Sequence, residues 1–322
     1  MAAAGAGALL DVGAGLVSGR GSNALSAVLA PAGAGVLSAL AAGGIASARA
    51  GRPAWALAAA ALALALLAYA LSGAPARALI FPGADRPLPS PGSELGAGAR
   101  VVAYRTSDGV ELRGVYAAGR GAGPRPALLF FHGNADCAAN NVPWALFLAR
   151  HGFDVFVAEY RGYGGCSGRP SEAGLRLDAR SALEALEKER SAPGGPLVVV
   201  GRSLGTGVAS LLAGEGHGDA VLLVSPFRSV RAMAERLAPR PLVALLLRDP
   251  FDSQSALAAT GQPVGIVHGT ADRVVPFAEG EALARALGAR ARLRPIEGVG
   301  HDDILAVAGE RIARDALDLL TR

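Results

Sequence analysis

Apolar residues fall along this chain in short blocks separated by Gly-, Pro- and Asn-containing breaks. Pro126–Phe131, Val155–Glu159, Leu197–Val200, Val221–Val224 and Val264–Val267 are compact apolar runs, too short for helices and bounded by turn residues. Such runs predict buried strands. Val101–Arg105 and Val110–Tyr116 flank Ser107-Asp108-Gly109, which predicts a hairpin, and Arg292–Ile296 predicts a last strand. Helical spacing lies between them. Pro143–Arg150 reads as one helix and Ser171–Arg190 as a long amphipathic one. The second sets Leu175, Ala179, Leu183 and Leu186 on one face, opens on Ser171-Glu172, and pairs Glu184 with Lys188 one turn on. Strands that alternate with helices predict an α/β fold, with antiparallel first strands and then a parallel sheet joined by right-handed crossovers. The one sizeable insertion lies between Ser225 and Val264. Within it Val230–Leu237 reads as helical. The apolar run Pro241–Leu247 reads either as the flank of an acyl pocket or as a helix packed on the sheet.

The N-terminal pattern is different. Residues 1–53 are low-complexity Ala/Gly sequence with scattered serines. Gly21–Ala48 lacks charge but holds Pro31 and several glycines, which argue against a firm helix. Ala54–Leu71 carries no charge and has no polar face to offer water. As a helix it would span about 27 Å, close to the hydrocarbon thickness of a bilayer. Trp55 and Tyr69 stand near its two ends. Residues 54–72 are therefore expected to be a single-pass membrane anchor, followed by a catalytic domain over residues 79–322. Arg49 and Arg52 flank one end of the span and Arg77 and Arg86 the other, so neither orientation is favoured.

Charge sharpens this division. The chain of 322 residues has a net charge of +4. Residues 1–78 hold Arg20, Arg49, Arg52 and Arg77 against Asp11 alone, so the remainder is nearly neutral. The high isoelectric point, about 9.5, is thus no signature of nucleic-acid binding. Two cysteines, Cys137 and Cys166, are too few for a disulfide framework.

Candidate chemistry centres on Gly201-Arg202-Ser203-Leu204-Gly205, set between the Leu197–Val200 run and the small-residue stretch Val208–Ala213. Gly-x-Ser-x-Gly between a buried strand and a helix predicts a sharp turn that presents a nucleophilic serine. A serine hydroxyl needs a base to take its proton, and the base needs a group to orient it. Asp272 follows the Val264–Val267 strand, and His301 follows the Arg292–Ile296 strand. The order Ser203, Asp272, His301 is that of α/β-hydrolases. Asp302 and Asp303 are poorer partners, because neighbours on one turn rarely reach the far side of the ring.

A tetrahedral intermediate also needs preplaced N–H donors. The backbone N–H of Leu204 is one candidate. The other is that of Asn134, in His132-Gly133-Asn134-Ala135 after the Phe131 strand. His132 is expected to brace this loop and His268 to hydrogen-bond locally. His151 lies at a helix-to-strand junction and His217 in a Gly-rich turn. No pair has metal-ligand spacing, so neither metal nor other cofactor is expected.

With these residues in hand, the chain resembles the Bem46-like branch of the α/β-hydrolases over about residues 79–316. The resemblance rests on His132-Gly133-Asn134-Ala135, Tyr160-Arg161-Gly162-Tyr163-Gly164, Ser167-Gly168 and Pro170-Ser171-Glu172. It continues through Gly201-Arg202-Ser203-Leu204-Gly205, Ser225-Pro226-Phe227, Phe251-Asp252-Ser253, His268-Gly269-Thr270-Ala271-Asp272 and Gly300-His301-Asp302-Asp303. Cys137 with Asn140-Asn141, and Cys166, depart from the pattern without touching the triad candidates. The resemblance implies membrane-anchored serine hydrolases, whose relatives include lysophospholipid lipases and protein depalmitoylases. The expected substrates are small-molecule or lipid-like carboxylic esters or thioesters. A serine peptidase on the same fold and a non-catalytic scaffold are the alternatives.

Overall fold

The computed structural model describes residues 54–321 apart from Ala97 and Ala122; the low-complexity segment 1–53 lies outside them. By density of contacts the described chain divides in two. One unit runs to Pro82 and takes Leu245–Arg248 with it; the other is Gly83–Ala244 with the residues from Asp249 on.

In the first unit, α1 (Ala54–Leu71) and α2 (Ala74–Ile80) are separated by Gly73, whose φ of 76° breaks the helix. Among the described residues no single helix is long and apolar enough to cross a membrane. Ala59–Leu71 and Ala74–Ile80 reach that length and composition together, bent by 45°. The structure thus has a bent pair where the sequence predicts one span. Leu64, Leu66 and Leu67 of α1 are exposed.

The second unit is built on one eight-stranded sheet. Its strands are β1 (Ala99–Arg105), β2 (Glu111–Ala117), β3 (Ala127–Phe131), β4 (Asp154–Ala158), β5 (Leu197–Arg202), β6 (Ala220–Val224), β7 (Val264–Gly269) and β8 (Ala291–Ile296). The order is β1-β2-β4-β3-β5-β6-β7-β8. β2 pairs antiparallel with both β1 and β4, and every other pairing is parallel. β3, β4 and β6 are buried throughout, which is why they read as unbroken apolar runs rather than alternating ones.

Helices cover the sheet: α3 (Val142–Arg150), α4 (Glu172–Glu189), α5 (Leu204–Gly214), α8 (Ser253–Ala258), α9 (Phe277–Leu287) and α10 (Ile304–Leu320). Ser171 caps α4, its hydroxyl accepting from Gly174 N at 3.1 Å. The insertion holds α6 (Val230–Ala234) and α7 (Arg240–Leu246). Pro241–Leu247 is indeed largely helical, but it does not pack flat on the sheet. Among the described residues of α7 only Val243 is buried, and Leu242 is exposed.

Candidate active site

The site lies at the carboxyl ends of β3, β5, β7 and β8, where loops leave a parallel sheet and backbone groups are open to a ligand. β5 ends at Arg202, and Ser203 joins it to α5 with φ 52° and ψ −120°. That left-handed backbone is strained for any residue but glycine. The turn closes only because its neighbours lack side chains. A Cβ on Gly205 would stand 2.1 Å from the Phe131 carbonyl oxygen, and one on Gly201 would stand 2.2 Å from that of Gly205. Ser203 N donates to Val224 O at 3.0 Å, so the strained residue stays stitched to β6.

Three candidate side chains, far apart in sequence, meet here. Ser203 Oγ lies 3.0 Å from His301 Nε2, and His301 Nδ1 lies 2.7 Å from Asp272 Oδ2. The His301 side chain is only 9% exposed, and Ser203 and Asp272 are buried. Asp272 Oδ1 accepts from the backbone N–H groups of Val274 and Val275 at 2.9 and 2.8 Å. Burial alone would raise the Asp272 carboxyl. Hydrogen bonds from His268, His301 and Val275 outweigh it and hold the group well below the usual carboxylate range. A charged Asp272 requires a donor at His301 Nδ1, which leaves Nε2 free to accept the Ser203 proton. Asp302 and Asp303 stand apart from this chain. Asp302 is exposed and pairs with Arg202, and Asp303 leads into α10.

The loop after β3 packs against the serine. A Cβ on Gly133 would lie 3.6 Å from Ser203 Cβ. Among the described residues the backbone N–H groups of Asn134 and Leu204 donate to no protein acceptor, so both donors are uncommitted. His132 lies beneath the loop, fully buried, and packs at a tilt against Tyr160 with ring centroids 4.3 Å apart. Its Nδ1 must donate to the Gly133 carbonyl at 2.8 Å, and its Nε2 faces Glu159 Oε1 at 2.8 Å. Burial pulls the His132 imidazole down, but the Glu159 carboxylate prevails and raises it above its ordinary value.

Two buried partners add to this arrangement, of which Glu159 was not legible in the sequence. Glu159, at the end of β4, accepts from His132, from Ala138 N at 3.0 Å and from Tyr160 N at 3.1 Å. It therefore grips both ends of the loop that carries Asn134. His268 donates from Nε2 to Val275 O at 2.9 Å and sits 3.5 Å from Asp272 Oδ2, while its Nδ1 is buried without a partner. It is a second imidazole on the carboxylate, beyond the local role its sequence position suggests. His151 bonds Phe147 O and Glu310, away from the site.

Cys137 and Cys166 are free thiols. Burial raises both, Cys166 to about 11, which disfavours the nucleophilic thiolate. Among the described residues no three His, Cys, Asp or Glu side chains converge as a metal site would need.

Comparison with known proteins bears on the family and the fold. Residues 122–251 match the family model described as serine aminopeptidase, S33. An uncharacterized protein of Mycobacterium tuberculosis is 36% identical over 241 residues, covering 75% of this chain and 85% of that protein. Protein bem46 of Schizosaccharomyces pombe is 33% identical over 158 residues, covering 47% of this chain and 53% of that one. The chain belongs to the Bem46-like α/β-hydrolases. An esterase of Pyrococcus furiosus, 18% identical, superposes with a TM-score of 0.58 over 75% of this Bem46-like chain and 98% of its own. At that identity the likeness speaks for the fold alone. It is the α/β-hydrolase fold that the alternation of strands and helices implies, and the chain is a hydrolase of that fold.

Proposed function

We propose that this protein is a membrane-anchored serine hydrolase that cleaves carboxylic esters or thioesters of lipid-like or acylated substrates. The observation that carries the reading is the continuous hydrogen-bonded chain Ser203–His301–Asp272, with bonds of 3.0 and 2.7 Å. In this mechanism His301 Nε2 takes the Ser203 proton as Oγ attacks the acyl carbonyl. Asp272 holds the ring and stabilises the imidazolium. The N–H groups of Leu204 and Asn134 receive the oxyanion. His301 then returns the proton to the leaving alcohol or thiol, and water repeats the cycle on the acyl-serine.

The proposed anchor is residues 54–72. Its support is the uncharged α1 and the exposure of Leu64, Leu66 and Leu67, apolar surface that lipid would cover. A peptidase reading is favoured by the description of the matching family model. An enzyme that trims free N-termini would need an acidic group for the amine. Glu235 of the insertion pairs with Arg240 instead, Asp249 accepts from Glu172 N, and Asp252 caps α8. The deciding experiment is a panel of acyl esters, thioesters and peptide amides on the detergent-solubilised full chain, with Ser203→Ala as control. Turnover of esters or thioesters that is lost in the variant is expected. Preferred cleavage of amides would replace this reading by the peptidase.

A further inference from the structure

We infer that Arg202 is a positioning residue for this reaction: its guanidinium fixes the spacing between the loop that carries His301 and the loop that carries Asn134. The inference rests on the catalytic reading of Ser203 and His301 given above.

Arg202 is the last residue of β5 and pairs in register with Val224 of β6, so its backbone is fixed by the sheet. Its side chain is 13% exposed and reaches in two directions. Nη2 donates to the main-chain carbonyl of His301 at 3.1 Å and lies 3.4 Å from Asp302 Oδ1. Nη1 faces Asp136 Oδ2 at 3.8 Å and stands 3.7 Å from where a Cβ on Gly133 would be. One side chain thus spans the serine turn, the histidine loop and the oxyanion loop.

The two ends of this span differ in firmness. Asp302 is 90% exposed and adds little, because water screens it. The His301 carbonyl is the firm contact on that side. On the other side Asp136 is itself tied down. It accepts from Cys137 N at 2.9 Å, from Asn140 Nδ2 at 3.0 Å and from Asn141 Nδ2 at 2.9 Å. Arg202 Nε is buried without a partner. Such a cost is tolerated where the planar fork does something a point charge cannot. A lysine ammonium on a flexible stem reaches one of the two ends, whereas the rigid guanidinium reaches both. Rate depends steeply on this geometry, because a displacement near 1 Å can cost about a hundredfold.

The test uses the full chain in detergent, a good chromogenic butyrate ester, and a fluorophosphonate that captures the nucleophile. Arg202→Met is expected to lower kcat by about tenfold to a hundredfold with KM within about twofold. The rate of fluorophosphonate capture should fall by the same factor, since capture uses the same serine, histidine and N–H donors. Arg202→Lys should recover only part of the loss. Asp136→Asn should cost several-fold in kcat in the wild-type background and clearly less in the Arg202→Met background, as coupled residues do. Should Arg202→Met fail to fold, Arg202→Lys and Asp136→Asn carry the test. A kcat within twofold of wild type in Arg202→Met overturns the inference. So does strict additivity with Asp136→Asn, or a loss expressed only in KM. Undiminished capture of fluorophosphonate by Ser203→Ala would instead sink the catalytic reading of Ser203.

Discussion

Ser203 combines a left-handed backbone, φ 52°, with a hydroxyl 3.0 Å from His301 Nε2. Replacing it by alanine removes the hydroxyl and leaves the backbone problem unchanged, so activity and stability should separate. Ser203→Ala is expected to retain less than about a thousandth of kcat on a good ester while its urea midpoint stays near wild type. Asp272→Asn should lower kcat by about 10⁴, because an amide that donates to His301 Nδ1 selects the wrong tautomer. The same variant carries a stability signature. The carboxyl of Asp272 is held below its ordinary range in the folded protein. Its charge therefore favours folding above the unfolded value of about 3.9, and that contribution fades as pH falls below it. The stability gap between wild type and Asp272→Asn should be widest at neutral pH and shrink below about pH 4. Urea unfolding at stepped pH reads this, and a gap that does not change with pH would mean that folding leaves the Asp272 carboxyl unshifted.

At the scale of elements, the tightest joint is that of β3, β5 and α5. A Cβ on Gly205 would meet the carbonyl oxygen of Phe131 at 2.1 Å and its carbon at 2.6 Å, both backbone atoms that cannot step aside. Gly205→Ala is expected to destabilise by about 3 kcal/mol or more, the range of overpacked cores. Gly261 meets nothing within 4 Å, and Gly261→Ala there should stay within about 0.5 kcal/mol. Equal urea midpoints for the two variants would refute the packing argument. This joint is also where the sequence was most readable. Apolar runs, flanking glycines and the order of Ser203, Asp272 and His301 each report a local constraint, whereas the crossed strand order does not show in them. Other elements left a fainter trace. α10 buries Ile304, Ala308, Ile312, Ala316 and Leu319 on one face. Alanines fill much of that face, and in a chain so rich in alanine the period does not stand out. α8 is six residues long and too short to show a period at all. Glu159 and Arg202 act through contacts across loops distant in sequence, which no local pattern encodes.

At the scale of the whole molecule, the contact boundary at Pro82 lies close to the charge boundary read from the sequence near residue 78. The correspondence is incomplete, since Leu245–Arg248 groups with the N-terminal unit, where Arg248 Nη2 donates to Leu71 O at 2.8 Å. The eight-stranded sheet lies wholly in the second unit, with its strands and covering helices. Removal of residues 1–82 is therefore expected to give a folded domain that turns over short-chain esters at close to the full-length rate. The full-length chain should resist extraction from membranes by high salt and by alkaline carbonate and yield only to detergent, as an inserted apolar segment does. Release by carbonate would remove the anchor from the proposal and leave the hydrolase reading standing. A sharper contrast comes from acyl substrates presented in vesicles. An anchor raises the concentration of the site at the surface that holds the substrate, without any new contact. The truncated domain should lose most of its activity on vesicle-borne esters, by about a hundredfold or more, while its rate on soluble esters is kept. Equal losses on both would instead point to damage at the Ser203 site, and no loss on either would mean that the N-terminal unit has no part in reaching the substrate.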